Sequence, residues 1–330
     1  MYELAIGAIV AALIFDFVNG WNDAANSVAT VIGTRVLKPL HAVILSAAAN
    51  FIGPFIFGVA VATTIAKGIL NPEDVTIYMI IGGLIGATSW ASICTYFGLP
   101  ISVSHSLIGG LIGTGIAVVG FEKLLLDGLT KVLIGIVASP IGGIIAGVLL
   151  TTIIITIFAK KKPGPVNKTF GKLQLLSSAW FALTHGANDG QKTMGIIVLI
   201  LMSEGLLTSF EVPIWVILAA SSAIALGTFV GGFKVIKTLG LRIARLRPYQ
   251  GFAAETGGGV ILAVFASLGI PASTTHAITG SIMGAGAARR KHAVRWKVGK
   301  QIVVAWLITI PGSAAIAFAA TTLINMIVGA

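Results

Sequence analysis

Apolar residues in this chain run in long blocks rather than in alternation. The stretches 40–66, 77–99, 132–159, 212–232 and 302–328 each approach or exceed the ~20 residues a helix needs to cross about 30 Å of hydrocarbon. Charged residues gather at their flanks. The ~10-residue alternating segments of a membrane β-barrel are absent. The pattern predicts an all-α polytopic membrane protein with roughly 8–12 membrane segments.

Against that background, polar residues recur in two motifs. Residues 19–27 read NGWNDAANS and 185–193 read HGANDGQKT, so G-x-N-D appears twice at an offset of 166. Residues 97–105 read FGLPISVSH and 268–276 read LGIPASTTH, sharing G-[IL]-P-x-S-x-[ST]-H at an offset of 171. Two motifs in the same order at nearly the same offset predict a duplication. The first repeat would span 1–159 and the second 173–330, joined by a basic cytoplasmic linker at 160–172.

Charge sets the relation between the halves. Residues 1–159 hold five Lys/Arg and seven Asp/Glu, whereas 160–330 hold 17 and four. The loop after the second motif reads FEKLLLDGLTK in one half and RRKHAVRWKVGK in the other. Cytoplasmic loops collect Lys and Arg, so corresponding loops are expected on opposite faces of the membrane. That predicts inverted repeats with both termini outside, built with discontinuous or re-entrant helices. The net charge of +11 is then explained by the loops rather than by nucleic acid. The start, MYELAIGAIVAALIF, lacks a basic n-region and is expected to be retained rather than cleaved. The one cysteine, Cys94, is expected to be inert packing.

The motifs carry the chemistry. A carboxylate at membrane depth costs a few kcal/mol and is a functional candidate by default; Asp23 and Asp189 occupy equivalent positions. Gly and Asn weaken a helix, so each G-x-N-D is expected to break its helix at midplane. Freed carbonyls, Asn22, Asn188 and the carboxylates are hard oxygen ligands suited to an alkali cation. In the second motif, Pro100 and Pro271 interrupt apolar runs, and Ser102-Val-Ser104-His105-Ser106 and Ser273-Thr274-Thr275-His276 open glycine-rich helices. A buried helix N-terminus flanked by hydroxyls suits a tetrahedral oxyanion.

Other polar positions leave choices open. His105 and His276 could carry a proton, bind the anion or donate a structural hydrogen bond. Lys192, three residues after Asp189, either complements the anion or pairs with Asp189. Glu255 reads as a cation ligand, a coupling residue or the interfacial end of a span. Asn50 reads as a helix–helix hydrogen bond. GANDGQKT is not a P-loop, since its spacing is G-x3-G-x-K-T and no strand precedes it. His185 and Asp189 stand i, i+4 without a metalloenzyme motif, and no nucleophile–base constellation is present, which argues against an enzyme.

Together the four motifs and their flanks (FVNGWNDAANSVAT, ALTHGANDGQKTMG) resemble the inorganic phosphate transporter family over essentially the whole chain. The resemblance implies a cation-coupled phosphate importer in the cell membrane, working by alternating access and assembled as a homodimer, with no prosthetic group. It implies that Asp23 and Asp189 are essential and that the Ser/Thr-His turns form the anion site, Ser102, Ser104, His105, Ser106, Ser273, Thr274, Thr275 and His276; Gln191, Lys192 and Thr193, just after Asp189, are expected to join them. The cations go to Asn22, Asp23, Asn26, Asn188, Asp189 and Glu255. Sodium is preferred as the co-substrate because these ligands are mainly neutral oxygens. Proton coupling (of phosphate or a metal phosphate) and sulfate permeation are the alternatives. Family members often carry Glu where this chain has Asn50.

Overall fold

The computed structural model describes residues 2–57, 62, 70–268 and 272–329. Pro271 and the end of the 40–66 run lie outside the described residues. The described chain is helical: α1 (Tyr2–Gly33), α2 (Pro39–Phe57), α3 (Ile77–Phe97), α4 (Val103–Val118), α5 (Leu126–Ile157), α6 (Pro163–Ser203), α7 (Ile214–Val230), α8 (Phe233–Lys237, continued as a π turn over Thr238–Ile243), α9 (Pro248–Ser267), α10 (Thr274–Ala287) and α11 (Trp296–Val328). Among the described residues, strand pairing is limited to one isolated bridge, Ala244 to Val294. Among the described residues, helices α1, α2, α3, α5 and α11 are long and apolar enough to cross a membrane, and α7 with α8 is apolar enough only as a pair, bent by 62° at its break.

Local signals fix the ends. The Thr76 hydroxyl accepts from the Met79 amide at 3.3 Å to start α3, and Gly98 at φ 72° ends it, a conformation that costs glycine little. Pro163 opens α6, where its missing N–H is harmless. The expected linker at 160–172 is therefore mostly the first turns of α6. On α5, Leu133, Ile134, Val137, Ile141, Ile145 and Leu149 are exposed at three- and four-residue steps, the stripe expected of a lipid-facing helix.

The expected breaks at G-x-N-D are not found: α1 and α6 run unbroken through both motifs. The glycines serve close approach instead. A Cβ at Gly20 would lie 2.1 Å from the Ile224 carbonyl oxygen of α7, and one at Gly186 would lie 2.2 Å from that of Asn50 in α2. Packing therefore overrides the weak helix propensity of Gly and Asn. Discontinuity appears elsewhere, in the short helices α4 and α10 and at the α7–α8 bend.

Packing partners are exchanged between the halves. Helix α5 packs along α10, and α11 packs along α4; α2 lies on α6, and α7 on α1. Glycines line these seams: Gly280 and Gly284 sit against the Pro140 and Ile144 carbonyls, and Gly109 and Gly113 against those of Ile310 and Ala314. Pro140 and Pro311, inside α5 and α11, repeat the 171-residue offset of the second motif. Helices α1 and α6 are antiparallel. Thr34 donates to Gln174 Oε1 at 2.9 Å, Ser178 donates to the Ser27 carbonyl at 2.9 Å, and Asp23 lies beside His185, so ascending positions on one meet descending positions on the other.

Candidate functional site

Antiparallel crossing of α1 and α6 brings the two motif aspartates to one buried centre. His185 Nε2 lies 3.2 Å from Asp189 Oδ2 and 3.7 Å from Asp23 Oδ2. The ligand atoms of Asp23, His185 and Asp189 all fall within 4.8 Å of one another. On its other side His185 Nδ1 meets Asn50 Oδ1 at 3.1 Å, while Asn50 Nδ2 donates to Thr228 Oγ1 at 2.9 Å. Asn50 is thus the helix–helix link expected of it, and it also orients the imidazole. With Nδ1 turned to Asn50, the triangle of Nε2 and two carboxylates needs a positive charge at its centre, either a proton or a cation.

The start of α10 closes over this centre. The Thr274 hydroxyl bridges the carboxylates, 3.3 Å from Asp23 Oδ2 and 3.2 Å from Asp189 Oδ2, and Thr275 donates to Asp23 Oδ1 at 3.2 Å. Asn26 Nδ2 donates to both threonines, at 3.3 and 3.0 Å. From the opposite side α4 contributes Ser104, which hydrogen-bonds Lys192, and Lys192 Nζ pairs with Asp189 Oδ1 at 2.5 Å. Pairing with Asp189 is therefore the arrangement adopted by Lys192, with a hydroxyl of the other half as its second partner.

The remaining residues of the serine/threonine–histidine turns divide. Ser102 and Ser273 each accept from the backbone N–H three residues on, at 3.3 and 3.2 Å, so they cap α4 and α10. The Ser106 hydroxyl is buried without a partner. The rings of His105 and His276 meet edge to face at 4.7 Å, and His276 stacks on Trp306 at 3.7 Å. Trp306 in turn donates to the Pro100 carbonyl at 2.9 Å, tying α11 to the α3–α4 turn. His276 Nδ1 lies 3.4 Å from the Ile136 carbonyl, the structural role among the three open to it. Yet His105 Nδ1 and His276 Nε2 are buried and unpartnered.

The cation candidates fit hard-oxygen chemistry. Asn22 Nδ2 donates to Thr95 Oγ1 at 2.7 Å, leaving Oδ1 of Asn22 without a partner; Asn26 and Asn188 also bury free Oδ1 atoms. Glu255 stands apart from this group. Its carboxylate accepts from Thr30, Ser177 and, at 3.1 Å, Gln174, about two turns along α1 from Asp23 and more than three along α6 from Asp189. Gln191 is buried on the same stretch of α6 as Lys192. The Thr193 side chain lies close to Asp16.

The sequence pattern of a phosphate transporter family matches residues 19–317. The chain belongs to that family. This phosphate transporter family member is 49% identical over 316 residues to a probable low-affinity inorganic phosphate transporter of Rhizobium meliloti, covering 96% of this chain and 95% of the relative. It is 40% identical to a protein of the same description from Bacillus subtilis, covering 98% of each. Among solved structures it resembles a sodium-dependent phosphate transporter, with a TM-score of 0.88 and 26% identity over 98% of this chain and all of that one.

Reasoning from sequence missed His185 as a member of the centre, and Asp16, Asn19, Thr95, Gln174, Ser177 and Trp306 altogether. His185 had a usable signal, its i, i+4 spacing to Asp189, and Asn19 stands at the equivalent position of the first motif; the others lacked a repeated motif to mark them.

Proposed function

We propose that this chain imports inorganic phosphate together with sodium across the cell membrane by alternating access, with anion and cations held between two inverted repeats. The observation that carries this reading is the convergence of Asp23, Asp189, Lys192, Thr274 and Thr275, drawn from both halves onto one buried centre. Free amide oxygens of Asn22, Asn26 and Asn188 supply neutral ligands for sodium. Phosphate would be taken at the starts of α4 and α10, where Ser104, Ser106 and the histidines lie. A dianion alone is costly at that depth, and sodium beside it lowers the cost. Each ligand then raises the affinity for the other, which is symport in thermodynamic form.

Inverted symmetry is supported by the antiparallel α1–α6 pair and the exchanged partners of α5 and α11. Basic loops on the cytoplasmic side favour both termini outside. The solved relative described as sodium-dependent favours sodium. A homodimer is proposed on family resemblance. Proton coupling is the second reading, favoured by His185 set between two carboxylates.

The test is radiolabelled phosphate uptake into proteoliposomes under imposed sodium or proton gradients, with sulfate and arsenate as competitors. Uptake driven by inward sodium and inhibited by arsenate is expected. Uptake indifferent to sodium but driven by protons would replace the coupling ion, and stronger competition by sulfate than arsenate would replace the substrate.

A further inference from the structure

Seven residues before Asp23, α1 buries a second carboxylate. Asp16 is 0% exposed and neither of its oxygens has a hydrogen-bond partner. It forms none of the ion pairs found among the described residues. One turn along α1, Asn19 buries an Oδ1 that is also unpartnered, and from α6 the Thr193 hydroxyl is buried and unpartnered too. Both side chains lie close enough to act on the Asp16 carboxyl. The Asp189 and His185 charges act on Asp16 only through space.

Each unsatisfied buried polar atom costs about 1–3 kcal/mol. Four such oxygens (two from Asp16, one each from Asn19 and Thr193) lie together on the α1–α6 seam. None of the ion pairs among the described residues reaches them. All four are hard oxygen donors, the set that alkali and alkaline-earth ions select over transition metals. One carboxylate balances one positive charge, whereas a divalent ion would leave a net charge in the protein interior.

We infer that Asp16, Asn19 and Thr193 form a monovalent-cation site of the sodium class, separate from the Asp23–Asp189 centre. It lies on the polar stripe of α1 formed by Asp16, Asn19, Asp23, Asn26 and Thr30, at alternating three- and four-residue steps along one helix face. If α1 ends in the cytoplasm, the site is on the outer side of the centre and holds sodium on its way in. That transport role rests on the sodium-coupled reading above; the existence of the site does not.

Equilibrium binding of radiolabelled sodium to the purified full chain, without phosphate, separates the two. Asp16→Asn is expected to bind one sodium fewer per chain than wild type. Thr193→Val should weaken that ion several-fold, and Thr193→Ser should restore it. Should Asp16→Asn fail to fold, the Thr193 pair decides the matter. An unchanged sodium count and affinity in these variants overturns the site. So does an effect of Asp16→Asn confined to the pH profile of uptake, which would make Asp16 a proton acceptor. Wild-type uptake independent of sodium would defeat the proposed coupling, while the number of sodium ions bound would still decide for or against this site.

Discussion

Lys192 closes onto Asp189 with 2.5 Å between Nζ and Oδ1, and neither side chain is more than 1% exposed. Breaking a buried pair from one side strands the other charge, at a cost of about 3–5 kcal/mol. Lys192→Met is therefore expected to lower the unfolding temperature of the purified protein markedly. The double variant Lys192→Met/Asp189→Asn should recover most of that loss, because it leaves no stranded charge. Neither variant should transport phosphate. A double variant as unstable as the single one would contradict the pairing.

Asp23→Asn and Asp189→Asn keep the shape of the side chain and remove its charge. Both are expected to abolish uptake in proteoliposomes with helical content at its wild-type value, although Asp189→Asn, which strands the buried Lys192, should melt at a lower temperature. Sodium-dependent uptake at wild-type rates in both variants would remove these residues from the cation site.

Close approach at the motif glycines has its own signature. A Cβ at Gly20 or Gly186 would fall about 2 Å from a backbone carbonyl oxygen of a neighbouring helix, whereas one at Gly7 meets nothing within 4 Å. Overpacking typically costs about 1–3 kcal/mol. Thermal unfolding should show Gly20→Ala and Gly186→Ala destabilised and Gly7→Ala unchanged. Equal melting of all three would refute the packing role.

Thr95 receives the Asn22 amide at 2.7 Å and itself donates to the Ala91 carbonyl at 2.7 Å. Thr95→Val leaves the buried amide without an acceptor, at about 1–3 kcal/mol, and frees Asn22 to turn. Phosphate uptake titrated against sodium should show a several-fold higher half-saturating sodium concentration. The half-saturating phosphate concentration at saturating sodium should change much less.

Span positions were legible because lipid imposes apolar composition over a whole helix. The runs at 77–99, 132–159, 212–232 and 302–328 become α3, α5, α7 and α11 with ends shifted by a few residues. The paired aspartates were legible because G-x-N-D occurs twice in the sequence. Helix continuity through NGWND and HGANDG was not, since a glycine used for contact and one used for a break look alike in sequence. Asp16 escaped notice for the opposite reason: a lone acid in an apolar run has no second copy to mark it. Glu255 was seen as an intramembrane acid, but only the fold reveals that Thr30, Gln174 and Ser177 surround it far from the aspartates.

The crossing over of α5 onto α10 and of α11 onto α4 bears on how the molecule is made. The first half leaves the ribosome with α4 and α5 deprived of their principal neighbours, which are synthesised last. Its glycine-lined seams must wait in the bilayer until α10 and α11 arrive. Final assembly is therefore a late event of high contact order, and separately expressed halves would need each other present to mature.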